Sequence, residues 1–115
     1  MITASDIPDW AVTESFGDYS FDFKNSTVNK ELYEELINKS PIRYIDNVKA
    51  PVLIMIGALD LRVPPTQGKE YYKGLITRDK KARLIVYKED CHPLSKPQTT
   101  ADCIINAILW FEKYL

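Results

Sequence analysis

Five consecutive apolar residues, Val52-Leu53-Ile54-Met55-Ile56, stand between Pro51 and Gly57. A run without polar alternation, containing β-branched side chains and too short for a helix, predicts a strand buried on both faces. Burial of that kind is the habit of parallel sheets, whose faces are covered by helices. Leu84-Ile85-Val86-Tyr87 predicts a second strand of the same sort. Between them Pro64-Pro65 introduces a helix expected over residues 66–77, with Tyr71, Tyr72, Leu75 and Ile76 on one side. Strand, helix and strand at this spacing imply a parallel pair joined by a right-handed crossover.

Helical spacing recurs on either side of this unit. Val28, Leu32, Tyr33, Leu36 and Ile37 form one stripe, with Asn25, Ser26 or Thr27 available as N-cap. That helix should stop before Pro41, which disfavours the helical conformation in the residue preceding it. Residues 42–49 read as a linker. Near the other end Ala101, Ile104, Ile105, Ile108, Leu109 and Phe111 make a wide apolar stripe, capped by Thr99 or Thr100 and expected to face the chain's own sheet. Residues 1–27 are irregular, with Trp10, Phe16, Tyr19, Phe21 and Phe23 scattered among small and polar residues. The order helix, strand, helix, strand, helix makes the class α/β.

Composition narrows the possible partners. At 115 residues the chain has length for one domain at most. Fifteen basic residues against sixteen acidic ones leave a net charge of −1. The isoelectric point near 5.8 carries no footprint for nucleic acid and no basic cluster for a membrane surface. No apolar run approaches the roughly 20 residues of a membrane-spanning helix. The first residues show neither the basic start nor the apolar stretch of a secretory signal. Cys91 and Cys103 read as reduced thiols of a cytoplasmic protein. Joined with His92 they lack both a C-x-x-C and a second histidine, so no metal and no cofactor are expected.

Ligands of an open parallel sheet bind beyond the carboxyl ends of its strands. After the first strand comes Gly57-Ala58-Leu59-Asp60, and after the second Lys88-Glu89-Asp90-Cys91-His92. Parallel neighbours lie about 4.8 Å apart, so Asp60 and His92 are expected side by side on one rim. An aspartate beside a histidine is the orienting half of a nucleophile–base–carboxylate triad. Each also has an ordinary reading, Asp60 as a turn residue and His92 as polar surface. The order Asp then His fits the Ser…Asp…His order of α/β-hydrolases. No nucleophile accompanies them: none of Ser5, Ser15, Ser20, Ser26, Ser40 and Ser95 sits in G-x-S-x-G. Cys91, directly beside His92, carries no turn signature of an activated thiolate. Arg62 is either a contact for a substrate carbonyl or carboxylate, or a surface arginine. Arg78, Lys80, Lys81 and Arg83 around Asp79 read as a solvated turn.

Asp60-Leu61-Arg62-Val63-Pro64, following a buried strand and Gly57, resembles the acid-loop segment of the prolyl oligopeptidase family of serine peptidases. Ser40-Pro41-Ile42-Arg43-Tyr44-Ile45, Gln67-Gly68-Lys69-Glu70-Tyr71-Tyr72 and Asp6-Ile7-Pro8-Asp9-Trp10 are similar to its acylaminoacyl-peptidase branch. The resemblance runs in register along nearly the whole chain. It implies a β-propeller followed by an α/β-hydrolase catalytic domain. The implied activity is release of N-acylated amino acids from blocked peptides, with Asp60 as triad aspartate and His92 as triad histidine. In the family the serine and the oxyanion hole lie upstream of the matched segment. The expectation is therefore a C-terminal portion of an α/β-hydrolase fold, parallel strands with flanking helices, incomplete across residues 1–115. It would lack the nucleophile region and the propeller and be inactive alone.

Two further expectations follow from the resemblance. Pro93 departs from the family's pattern and should steer His92 out of the helical region and displace its imidazole. Val52–Ile56 should present an unpaired edge, leaving the chain marginally stable and prone to association. The implied partners are a short N-acylated peptide, when the domain is complete, and a homo-oligomer or full-length relative. The last applies if the chain is an inactive truncated paralogue that binds through the helix at 99–115. Neither nucleic acid nor membrane is among them.

Overall fold

The computed structural model describes residues 30–115. The N-cap choices at residues 25–27 and the aromatic-rich opening lie outside the described residues. The described residues fall into two units, divided between Asn47 and Val48.

In the first unit helix α1 spans Lys30–Lys39. It closes at Ser40, whose amide donates to the Ile37 carbonyl at 3.0 Å, one residue before Pro41. A 3-10 helix over Pro41–Asn47 follows where a plain linker was expected. Proline suits its first position, where no amide is required. The Arg43 amide makes the three-residue bond to Ser40 at 3.0 Å. Tyr44 kinks this segment, and its hydroxyl reaches back to donate to the Asn38 carbonyl at 2.6 Å.

The second unit holds β1 (Val52–Gly57), α2 (Pro65–Ile76), β2 (Ala82–Tyr87) and α3 (Pro97–Tyr114). The strands are parallel, paired from Val52 with Ala82 to Gly57 with Tyr87, so both end at the same level. Helix α2 packs on both strands and α3 on β1. Alternation along β1 assigns the faces. A Cβ placed on Gly68 of α2 would lie 2.9 Å from Ile56 Cγ2 and 3.5 Å from Ile54 Cγ2, so these two isoleucines face α2. Met55 lies on the opposite face. There its sulfur is 3.9 Å from the Tyr87 hydroxyl, which donates to Asp102 of α3 at 2.8 Å. Helices thus cover the sheet from two sides, as an α/β layering requires.

Leu75 of α2 is fully buried, and Trp110 of α3 is buried. The strands themselves fall short of the two-faced burial expected of them: apart from Gly57 no residue of either is buried, and Arg83 is exposed. Among the described residues the sheet has two strands, so each has a described neighbour on one edge only. The expectation that the stripe on α3 faces the sheet is also not met. Ile104, Ile105, Ile108, Leu109 and Phe111 are 52–58% exposed, because Thr99 and Trp110 occupy the inward face.

The start of α3 corrects another expectation. Lys96 is the N-cap and Pro97 the first helical residue, so Thr99 and Thr100 lie within the first turn. Helix α2 ends in a Schellman turn: the Asp79 amide donates to Ile76 and the Lys80 amide to Leu75, both at 3.0 Å. Asp79 takes the left-handed position at φ 53°, and Arg78, Lys81 and Arg83 around it are exposed. No described helix is long and apolar enough to cross a membrane.

Candidate active site

Because β1 and β2 end level, their following loops leave the sheet together. The β1 loop is drawn across onto the β2 loop by backbone bonds. The Ala58 amide donates to Tyr87 at 2.9 Å and the Leu59 amide to Asp90 at 3.0 Å. Gly57 permits this approach. A Cβ there would run into the Cys91 carbonyl oxygen and sit 2.6 Å from the Asp90 carbonyl oxygen and 2.8 Å from its carbon, closer than real side chains come to backbone. The glycine is required for space, and its φ lies outside the left-handed region.

Asp60 and His92 meet at this crossing. His92 Nδ1 lies 2.8 Å from Asp60 Oδ2. The other carboxylate oxygen, Oδ1, accepts the amides of Arg62 at 2.9 Å and Val63 at 2.8 Å, folding the acid's own loop around it. The Asp60 side chain is 11% exposed and that of His92 43% exposed. Burial pushes the Asp60 carboxyl up. The Val63 amide, His92 and the Arg62 amide outweigh it and hold the carboxyl below its ordinary value. An ionised carboxylate can only accept, so His92 Nδ1 is the donor. In the neutral ring Nε2 is then left as the basic nitrogen. The expected displacement by Pro93 does not occur, because the imidazole stays bonded to Asp60 with the proline in place. His92 and Pro93 instead form a turn closed by the Leu94 amide on the Cys91 carbonyl at 3.2 Å, with Leu94 at φ 47°.

A residue that sequence reasoning passed over underlies the turn. Asp90 is 2% exposed. Its Oδ1 accepts the Cys91 amide at 2.9 Å and its Oδ2 the Lys96 amide at 3.1 Å. The Ser95 amide and the Thr99 hydroxyl also donate to it. Burial pushes this carboxyl up, and the four donors together bring it below its ordinary value. In sequence it stands in Lys88-Glu89-Asp90, which reads as a polar turn; its donors at Ser95, Lys96 and Thr99 leave no local pattern. Cys91 and Cys103 are free thiols, Cys91 exposed. Among the described residues no group of three or more His, Cys, Asp or Glu side chains is arranged to hold a metal.

The sequence pattern of the Prolyl oligopeptidase family matches residues 2–115. The chain is 42% identical to human acylamino-acid-releasing enzyme over 116 residues, covering all of this chain and 15% of that protein. The Arabidopsis thaliana acylamino-acid-releasing enzyme is 36% identical over 114 residues, covering 99% of this chain and 15% of the relative. The solved structure of Pyrococcus horikoshii acylaminoacyl peptidase superposes with a TM-score of 0.66 at 25% identity. That match covers 92% of this chain and 18% of the archaeal one. An acylaminoacyl peptidase solved with Z-Gly-Gly-Phe-chloromethyl ketone matches equally well. The chain therefore spans under a fifth of the relatives it matches. The parallel strands with helices on two faces are part of an α/β-hydrolase fold. With the family pattern running from residue 2 to the last, the chain belongs to the prolyl oligopeptidase family.

Proposed function

We propose that this chain carries the acid–base half of a serine peptidase centre, one that releases N-acylated amino acids from the blocked ends of short peptides. His92 Nε2 takes the proton of an attacking serine hydroxyl and later gives it to the leaving amine. Asp60 holds the ring in the Nδ1-protonated tautomer and stabilises the imidazolium while it is charged. The hydroxyl comes from outside these residues, since the chain holds no G-x-S-x-G. The observation that supports this reading is the 2.8 Å bond between His92 Nδ1 and Asp60 Oδ2, on a carboxylate whose second oxygen is already held by two amides. What supports the substrate class is the likeness to acylamino-acid-releasing enzymes over the whole chain. Two free thiols suit a reducing compartment, and we place the protein in the cytoplasm.

The test is complementation. The chain is joined to the serine-bearing part of a relative's hydrolase domain and assayed on an N-acetylated amino-acid anilide. Hydrolysis is expected, and Asp60→Asn should lower kcat by about ten-thousandfold, as loss of the tautomer-fixing acid does elsewhere. The chain alone should neither hydrolyse the anilide nor react with a fluorophosphonate. His92-dependent labelling of one of its own serines, or full activity in Asp60→Asn, would refute the reading.

One observation favours a second reading. The apolar stripe Ile104, Ile105, Ile108, Leu109 and Phe111 is exposed on α3. A truncated, inactive paralogue could use that face to assemble with a full-length relative. Co-purification with such a relative, lost on replacing Ile104 and Ile108 by serine, would favour it.

A further inference from the structure

We infer that Asp90 is the positioning residue that sets the His92 ring against Asp60, an inference that rests on the acid–base reading above. Its groups tie together three parts of the site. Its carbonyl accepts the amide of Leu59, the residue before Asp60, at 3.0 Å. Its Oδ1 accepts the amide of Cys91, the residue before His92, at 2.9 Å. Its Oδ2 accepts the amide of Lys96 at 3.1 Å, and the Ser95 amide and Thr99 hydroxyl complete the set. A single carboxylate thus pins both ends of the segment 91–95, and His92 lies inside that segment.

The segment needs pinning. Leu94 occupies the left-handed region, which costs a branched residue energy and persists only where its surroundings over-determine it. Pro93 supplies no amide that could anchor the turn from within. Asp90 is 2% exposed, so its donors cannot exchange the carboxylate for water without opening the loop. Loss of the carboxylate frees Cys91 and Ser95 together, and the ring between them loses its fixed approach to Asp60. Asp90 acts through the backbone and touches no reacting atom.

The tautomer of His92 reads this directly, and the assignment is simple because the chain has one histidine. Nitrogen-15 NMR of the neutral ring in the full chain should show the Nδ1-protonated form. In Asp90→Asn, which keeps the size and loses the charge and one acceptor, the ratio of Nδ1–H to Nε2–H forms should fall by about threefold or more, in line with the loss of charge-assisted bonds. Asp90→Ala should fall further. Thr99→Val, which removes one donor and leaves the charge, should fall less, and it decides the matter if neither Asp90 variant folds. Leu75→Ala is the control: it opens a fully buried site in α2 and should leave the ratio unchanged. A wild-type ratio in the folded Asp90 variants, or in Thr99→Val when those are unfolded, overturns the proposal. A fall of the same size in Leu75→Ala does so too, since the effect would then be general loosening. A wild-type ring lacking the Nδ1-protonated form sinks the acid–base reading itself, and this proposal with it.

Discussion

Replacing Gly57 by alanine should damage the site more than the fold around it, and a companion substitution shows why. The new Cβ would press directly on the Cys91 carbonyl oxygen and stand 2.6 Å from that of Asp90. Carbon and oxygen rest comfortably at about 3.4 Å, so the Asp90 carbonyl must retreat by at least about 0.8 Å, and the Cys91 carbonyl further. The obstacle is backbone, which cannot swing aside. The retreat stretches the 3.0 Å bond from Leu59 to Asp90 and carries His92 with it. Added to 2.8 Å, a shift of this size takes His92 and Asp60 to about 3.6 Å, beyond hydrogen bonding. Overpacking of this kind costs about 1–3 kcal/mol. Reduced freedom of the unfolded chain returns about 0.4–1 kcal/mol, and the weakened Leu59 bond adds about 1 kcal/mol to the loss. The net expectation is about 2 kcal/mol of destabilisation by urea unfolding, with loss of the Nδ1-protonated His92 signal. Gly68→Ala is the comparison. Its Cβ would meet Ile56 Cγ2 at 2.9 Å, a side-chain methyl that can move, and the helix gains about 1 kcal/mol from losing a glycine. That variant should stay within about 1 kcal/mol of the parent, with His92 undisturbed. Equal stabilities for the two variants, or an intact His92 signal in Gly57→Ala, would refute the reasoning.

Three other outcomes are expected. The folded-state pKa of Asp60 lies below its ordinary value of 3.8, so the stability that it contributes is present above that pH and is lost as pH falls through the lower folded value. Urea unfolding from pH 6 downward, with pH steps of about one unit through the region governed by this linkage, should show a shallower acid loss in Asp60→Asn than in the parent. Asp79→Gly should raise stability by about 0.5–1 kcal/mol, since glycine takes the left-handed end of the α2 Schellman turn without a Cβ penalty; an unchanged or lowered urea midpoint would contradict this. The exposed stripe on α3 and the two-stranded sheet should make the chain self-associate. Sedimentation should show mass rising with concentration, and a monomer throughout would exclude it.

The sequence carried the site further than it carried the packing. Val52–Ile56 and Leu84–Tyr87 are readable as strands because each is a short unbroken apolar run containing β-branched residues, and parallel pairing puts the residues after them on one rim. That topology brings Asp60 and His92 to one rim, while their reading as an acid–base pair rests on the family resemblance as well. Pro93 leaves the site intact because a residue before proline is restricted in its backbone, which says nothing of where the His92 ring goes. The cap of α3 differs from the expected threonines because Thr99, inside the first turn, reaches back to Asp90. The 3-10 helix at Pro41–Asn47 left only Pro41 as a trace. Helical spacing on α3 was genuine, yet periodicity names a face without naming what lies against it.

The two oxygens of Asp60 answer to different masters. Oδ1 belongs to its own loop, through Arg62 and Val63, and Oδ2 alone is spent on the imidazole. An acid held this way is seated before any base arrives. Removing the ring should therefore leave a ready socket, and a small imidazole from solution has a carboxylate already aimed at it. Removing the acid leaves nothing comparable for the histidine, so the two losses are unequal in how far an added molecule can repair them.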